Sequence, residues 1–197
     1  MESKAVTRKG LSGNSLKWIA IACMLIDHIA WAFVPYISPL GILMHTIGRV
    51  TGPVMFFFVS EGYAHTHSVR LYAGRLFLFS LLSWIPFSLF ETGHLISPSM
   101  GVIWSLLLSL LSLHACVSLR NIFLKAGIVL LCILGSFFGD WPIFSILYVL
   151  AFGLNRNSFK RQAFWFSIIS LLMVGFQLWL EWFFAGSLFT PEFYAGL

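Results

Sequence analysis

The chain has 197 residues, of which 59% are hydrophobic and only 10% charged, with a mean hydropathy of +0.90. A soluble domain carries about 45–50% apolar and about 25% charged residues, so this excess has no core to hide in and must be solvated by lipid. The net charge of +5 does not point to nucleic acid, because the basic residues lie between apolar runs rather than in one patch.

The first fifteen residues, MESKAVTRKGLSGNS, are basic and polar. The apolar run behind them is about 18 residues long, and no small-residue cleavage site follows it, so the segment predicts an uncleaved first transmembrane helix. Asn14 and Ser15 are its expected N-caps. Apolar runs then fall at roughly 15–34, 48–64, 71–90, 101–119, 122–138, 141–154 and 163–184. The expected fold is an all-α polytopic transmembrane bundle of about seven spans, forming a single integral membrane domain behind a short N-terminal segment, 1–14. Asp140 separates the fifth run from the sixth, and Pro142 suits the first turn of the sixth helix. Cys23 and Cys132 lie inside runs and Cys116 near a run end, without zinc-ligand spacing, so free thiols and no metal are expected.

The charges give an orientation. Lys4, Arg8 and Lys9 precede the first run, Arg70 and Arg75 follow the second, Arg120 and Lys125 flank the fourth-to-fifth loop, and Arg156, Lys160 and Arg161 follow the sixth. These are ten of the twelve basic residues, and the alternate loops carry Glu91, Asp140 and Glu192 instead. The positive-inside rule then places the N-terminus in the cytoplasm and the C-terminus outside.

Ionisable groups within the runs are candidates for function, since such groups are rare in lipid and usually face the bundle interior. Lys17 and His28 are eleven residues apart, three helical turns plus about 20°, so they share one face of the first helix. Lys17 reads equally as a snorkelling anchor or a contact for an anionic donor. His28 reads as a structural hydrogen bond or as a general base. Asp27 points about 100° away from His28 and is expected to meet a cation on another helix, with Arg49 as a candidate. Glu61 and His65 stand one turn apart at the cytoplasmic end of the second run, and read as interfacial ion pairs or as the wall of a donor pocket. With Arg70, Lys17 and Arg75 would form a basic cytoplasmic mouth suited to a phosphorylated donor. Gly52 and Pro53 would permit a kink. Ser105, Ser109 and Ser112 line one helix face and read as packing contacts. Gln177 and Glu181 are one turn apart in the last run.

The stretches LKWIAIACMLIDHI, IGRVTGPVMFFFVSEGYAHT, YAGRLFLFSLLSWIPFSLF and GDWPIFSILYVLAFGL resemble the TraX family of membrane proteins. The matching features are the Asp27–His28 pair, the Arg49-to-Pro53 spacing, the Glu61-Gly62 and His65-Thr66 pairs, and Arg75 followed by Ile85-Pro86-Phe87. The resemblance implies a pilin N-acetyltransferase with acetyl-CoA as co-substrate, in a bacterial inner membrane. The family is also similar to a wider transmembrane acyltransferase superfamily. Its members place a basic residue, ten others and a histidine on the first helix, as Lys17 and His28 do here. By this resemblance His28 and Asp27 would be catalytic, and Lys17, Arg49, Glu61, His65 and Arg75 would hold acetyl-CoA. Lys17 stands where Arg is commoner, which keeps the charge and loses bidentate phosphate binding. Family members are often longer, with a further apolar span after the segment matching FTPEFYAGL.

Expected partners are membrane lipid, acetyl-CoA and an acceptor peptide, pilin or sugar. Two readings of other classes stay open. One is a small proton-coupled transporter using Asp27, His28 and Glu61 as a relay. The other is a non-catalytic subunit of a pilus or secretion assembly.

Overall fold

The computed structural model describes residues 12–35 and 38–188. Every regular element among them is a helix: α1 (Gly13–Phe33), α2 (Pro39–Gly48), α3 (Thr51–His65), α4 (Val69–Thr92), α5 (Gly101–Ser118), α6 (Ile122–Ser136), α7 (Phe144–Leu154) and α8 (Phe159–Leu188). Counted as one broken span, α2 and α3 bring the total to seven. Among the described residues five stretches are long and apolar enough to cross a membrane: α1, the α2–α3 stretch, α4, α5 and Phe159–Leu180 of α8. The chain is a multi-pass membrane protein, and the apolar side chains on its surface, such as Trp18, Leu82 and Leu171, meet lipid. Lys4, Arg8, Lys9 and Glu192 lie outside the described residues, as does the side chain of Glu181.

Several boundaries differ from the sequence expectation. The cap of α1 is Ser12, not Asn14 or Ser15, and its hydroxyl accepts from the Ser15 N–H at 3.1 Å. Residues 39–47, which fall between the first two expected runs, join Gly48 in α2, because Ser38 caps it and Pro39 occupies its first turn, where a missing N–H costs nothing. The second span breaks between Gly48 and Thr51, so Gly52 and Pro53 lie in the first turn of α3 rather than at a mid-helix kink. Pro142 stands before α7, not in its first turn. Ile143 is the cap, with φ of +59°, and its N–H is received by the Ser136 hydroxyl at 2.9 Å.

The chain divides into two compact units, Met1–Val59 and Ser60–Leu197, with the boundary inside α3. In the first unit α1 runs antiparallel to α2 and the start of α3. The stripe Gly13, Lys17, Ala20, Asp27 and Trp31 of α1 meets Phe58, Thr51, Gly48 and His45 in reverse order. Those α1 positions recur at three, four and seven residues, which puts them on one face.

In the second unit α5 is central. Ser105, Ser109, Leu110, Ser112 and Leu113 are fully buried, so the serine stripe is a packing face. Small side chains there admit close backbones: a β-carbon on Gly139 would collide with the Ser105 hydroxyl. Tyr148 of α7 bonds Ser170 of α8 at 2.9 Å.

Candidate functional site

Two polar clusters interrupt the apolar helices, one in each unit.

The first is built on α1 and α2. His45 Nδ1 donates to Asp27 Oδ1 at 2.8 Å. His45 is 8% exposed, and Asp27 is half-buried. The Trp31 ring stands edge-on to the imidazole, 5.2 Å between centroids. Gly48, one turn after His45, makes room for the carboxylate, because any β-carbon there would run into the Asp27 side chain. Just behind, the Thr51 hydroxyl donates to the Ala20 carbonyl at 3.0 Å and ties α3 to α1. The cation expected to meet Asp27 from another helix is therefore an imidazole of α2, charged only when protonated. Arg49 closes α2, its backbone N–H donating to the His45 carbonyl at 3.0 Å, with its side chain exposed.

His28 turns back on its own helix, where Nδ1 donates to the Met24 carbonyl at 2.8 Å. That bond leaves Nε2 as the lone-pair nitrogen of the neutral ring, and the Asp27 bond does the same for His45. Lys17, about three turns toward the N-terminus, is exposed and holds its ammonium 5.0 Å from the Phe58 ring centroid.

The second cluster belongs to the other unit. Arg156, in the turn after α7, grips Glu61 of α3 with both arms of its guanidinium, Nε to Oε1 at 3.1 Å and Nη2 to Oε2 at 3.4 Å. His65 Nδ1 donates to the Glu61 carbonyl at 2.8 Å, so its Nε2 accepts from Arg156 Nη2 at 3.1 Å. The carboxylate and imidazole expected at a donor pocket are thus engaged with Arg156, a residue the sequence placed only in a basic loop. Arg75 is exposed on α4, and Arg70 is exposed one turn before it. Tyr63 and Ser118 both meet His114 Nδ1, at 3.3 and 3.0 Å. Among the described residues no group of three or more His, Cys, Asp or Glu side chains is placed to hold a metal ion.

Sequence reasoning passed over His45. Its only signal was a lone imidazole in the apolar run LGILMHTIG, three residues before a glycine on the same helix face.

The family profile described as TraX protein matches residues 12–187, nearly the whole chain. The chain belongs to the TraX family. That match spans both polar clusters, from Lys17 through Arg156. A similar protein is the probable fimbrial assembly protein FimC, serogroup H1, of Dichelobacter nodosus. It is 29% identical over 173 residues, covering 83% of this chain and 71% of the relative. No solved structure matches.

Proposed function

We propose that the chain is a membrane-embedded acetyltransferase of a bacterial inner membrane. It would move an acetyl group from cytoplasmic acetyl-CoA to an amine, such as the N-terminus of a pilin or peptide. The observation that carries the reading is the set of polar side chains on α1 and α2, of which His45 is buried and Asp27 and His28 are half-buried. Asp27, His28 and His45 keep a carboxylate and two tautomer-fixed imidazoles within apolar helices, where such groups are costly unless they are used. Membership of the TraX family and the fimbrial name of the Dichelobacter relative support a role near pili.

In this reading His28 Nε2 accepts a proton from the acceptor, and Asp27 sets the local charge. Lys17 is proposed as a contact for the CoA phosphates. Arg49 supplies positive charge at the break of the second span. Acyl transfer needs the nucleophile's proton removed as the C–N bond forms and the thiolate leaves, and a placed imidazole typically contributes about 10²–10⁴-fold. The test is release of free thiol from acetyl-CoA by the purified protein in detergent, with and without a short peptide acceptor. Acceptor-dependent release is expected, and its absence with all amine and hydroxyl acceptors would remove the reading.

One observation favours a second reading. A broken span beside an acid–imidazole pair is also how proton-coupled transporters build a midplane site. A transporter would release no thiol from acetyl-CoA.

A further inference from the structure

The helices α1 and α2 carry two imidazoles, His28 and His45, and their partners differ. His28 Nδ1 bonds the carbonyl four residues back, as His65 does on α3. This is an ordinary way for a helix histidine to satisfy one nitrogen. His45 instead bonds a carboxylate brought from another helix, and that approach is paid for by a glycine at residue 48. Trp31 holds the ring from the side, and only 8% of the residue is exposed. A carboxylate so placed fixes the imidazole's tautomer and orientation, and compensates the charge that appears when Nε2 takes a proton.

The chemistry of an amine acceptor asks for a second proton acceptor. An α-amino group titrates at about 8 and an alkyl amine at about 10.4, so the acceptor arrives largely as an ammonium. Its nitrogen must lose one proton to become a nucleophile and another as the amide forms. Resting on the acetyltransferase reading, we propose that His45 is the second proton-handling residue of the transfer, with Asp27 as its positioning residue. His28 Nε2 takes one of the two protons and His45 Nε2 the other. The amine lone pair forms the C–N bond, the C–S bond breaks, and its electron pair stays on sulfur. Of the two protons shed by nitrogen, one protonates the CoA thiolate and the other returns to water. The reaction therefore converts an ammonium and acetyl-CoA into an N-acetyl product, CoA thiol and one free proton.

The role separates from a structural one by the choice of acceptor. An ammonium acceptor must shed two protons, whereas a small aromatic amine is already neutral at neutral pH and sheds one. His45→Asn keeps a side-chain N–H that can donate to Asp27 but has no lone-pair nitrogen, so it preserves the helix contact and removes the base. The experiment measures acetyl-CoA binding by the purified protein, then transfer to a short peptide's N-terminus and to an aromatic amine. For His45→Asn, binding should stay within about twofold of wild type. Transfer to the peptide should fall by about 10²-fold or more, and transfer to the aromatic amine by less than about tenfold. Equal losses with both acceptors, or near wild-type transfer to both, would overturn the proposal. His45→Ala, which loses the contact with Asp27 as well, should be no more selective than His45→Asn if the base matters and the bond does not. A protein whose wild-type form acetylates neither amine would take down the acetyltransferase reading itself. Wild-type activity with an unselective His45→Asn removes this assignment alone.

Discussion

Gly48 and Asp27 meet so closely that a β-carbon on residue 48 would fall within the carboxylate side chain of residue 27. The Asp27–His45 pair thus depends on a residue with no chemistry of its own. Gly48→Ala is expected to push Asp27 off His45 and loosen α1 from α2. An overpacked contact of this kind typically costs about 1–3 kcal/mol. Thermal unfolding in detergent should show the loss. Gly74→Ala on α4, where an added β-carbon meets nothing within 4 Å, should leave the midpoint unchanged or raise it.

His28→Gln is expected to insert, purify and bind acetyl-CoA while transferring no more than about a hundredth of the wild-type rate. Glutamine can replace the bond to the Met24 carbonyl but offers no proton acceptor. Near wild-type transfer by this variant would return His28 to a packing role.

Lys17→Ala should weaken acetyl-CoA binding several-fold, and binding by wild type should weaken as salt rises. The ammonium lies exposed over Phe58, and exposed charges are screened beyond about 8 Å at physiological ionic strength. A salt-independent affinity measured by titration calorimetry would remove Lys17 from the donor site.

Glu61 and Arg156 should be coupled, but weakly. The guanidinium is 41% exposed and the carboxylate 28%, and pairs of this kind give about 0.2–1 kcal/mol in double-mutant cycles. A cycle of Glu61→Gln and Arg156→Gln, read by unfolding at low and high salt, should give a small coupling that shrinks with salt. A larger, salt-insensitive value would mean the cluster is sealed from water.

The turn at residues 155–158 should face the cytoplasm and the loop at 93–100 the opposite side. In a chain with its native cysteines replaced by serine, Asn157→Cys should react with an impermeant maleimide only after the membrane is opened. His94→Cys should react in intact spheroplasts. The reverse pattern would invert the orientation drawn from the basic residues.

The helices and their membrane character were legible because apolar runs and charge asymmetry are one-dimensional signals. The stretch 35–48 was not legible, since Pro35, Pro39 and Gly41 are loop signals unless one knows that Pro39 falls in a first turn behind a serine cap. Asp27 and His28 stand out as polar residues in an apolar run. The partner of Asp27 does not, because it lies 18 residues on and is chosen by the antiparallel register of α1 against α2. Arg156 likewise reaches Glu61 across 95 residues of sequence, a pairing that no local pattern encodes.

The connection between α6 and α7 bears on the bilayer itself. With 15 and 11 residues, these helices rise about 22 Å and about 16 Å, well short of a hydrocarbon core of about 30 Å. Part of the polar backbone at their turn is stitched to protein. Phe138 O receives the Met100 N–H at 2.7 Å, Gly135 O receives the Trp104 indole at 2.9 Å, and Ser136 receives Ile143. Asp140 at the turn is exposed and needs water or headgroups, so the leaflet above so short a hairpin must thin or dip to meet it. On that side the protein would carry a local depression, a shorter path between water and the interior of the second unit than the bilayer offers elsewhere.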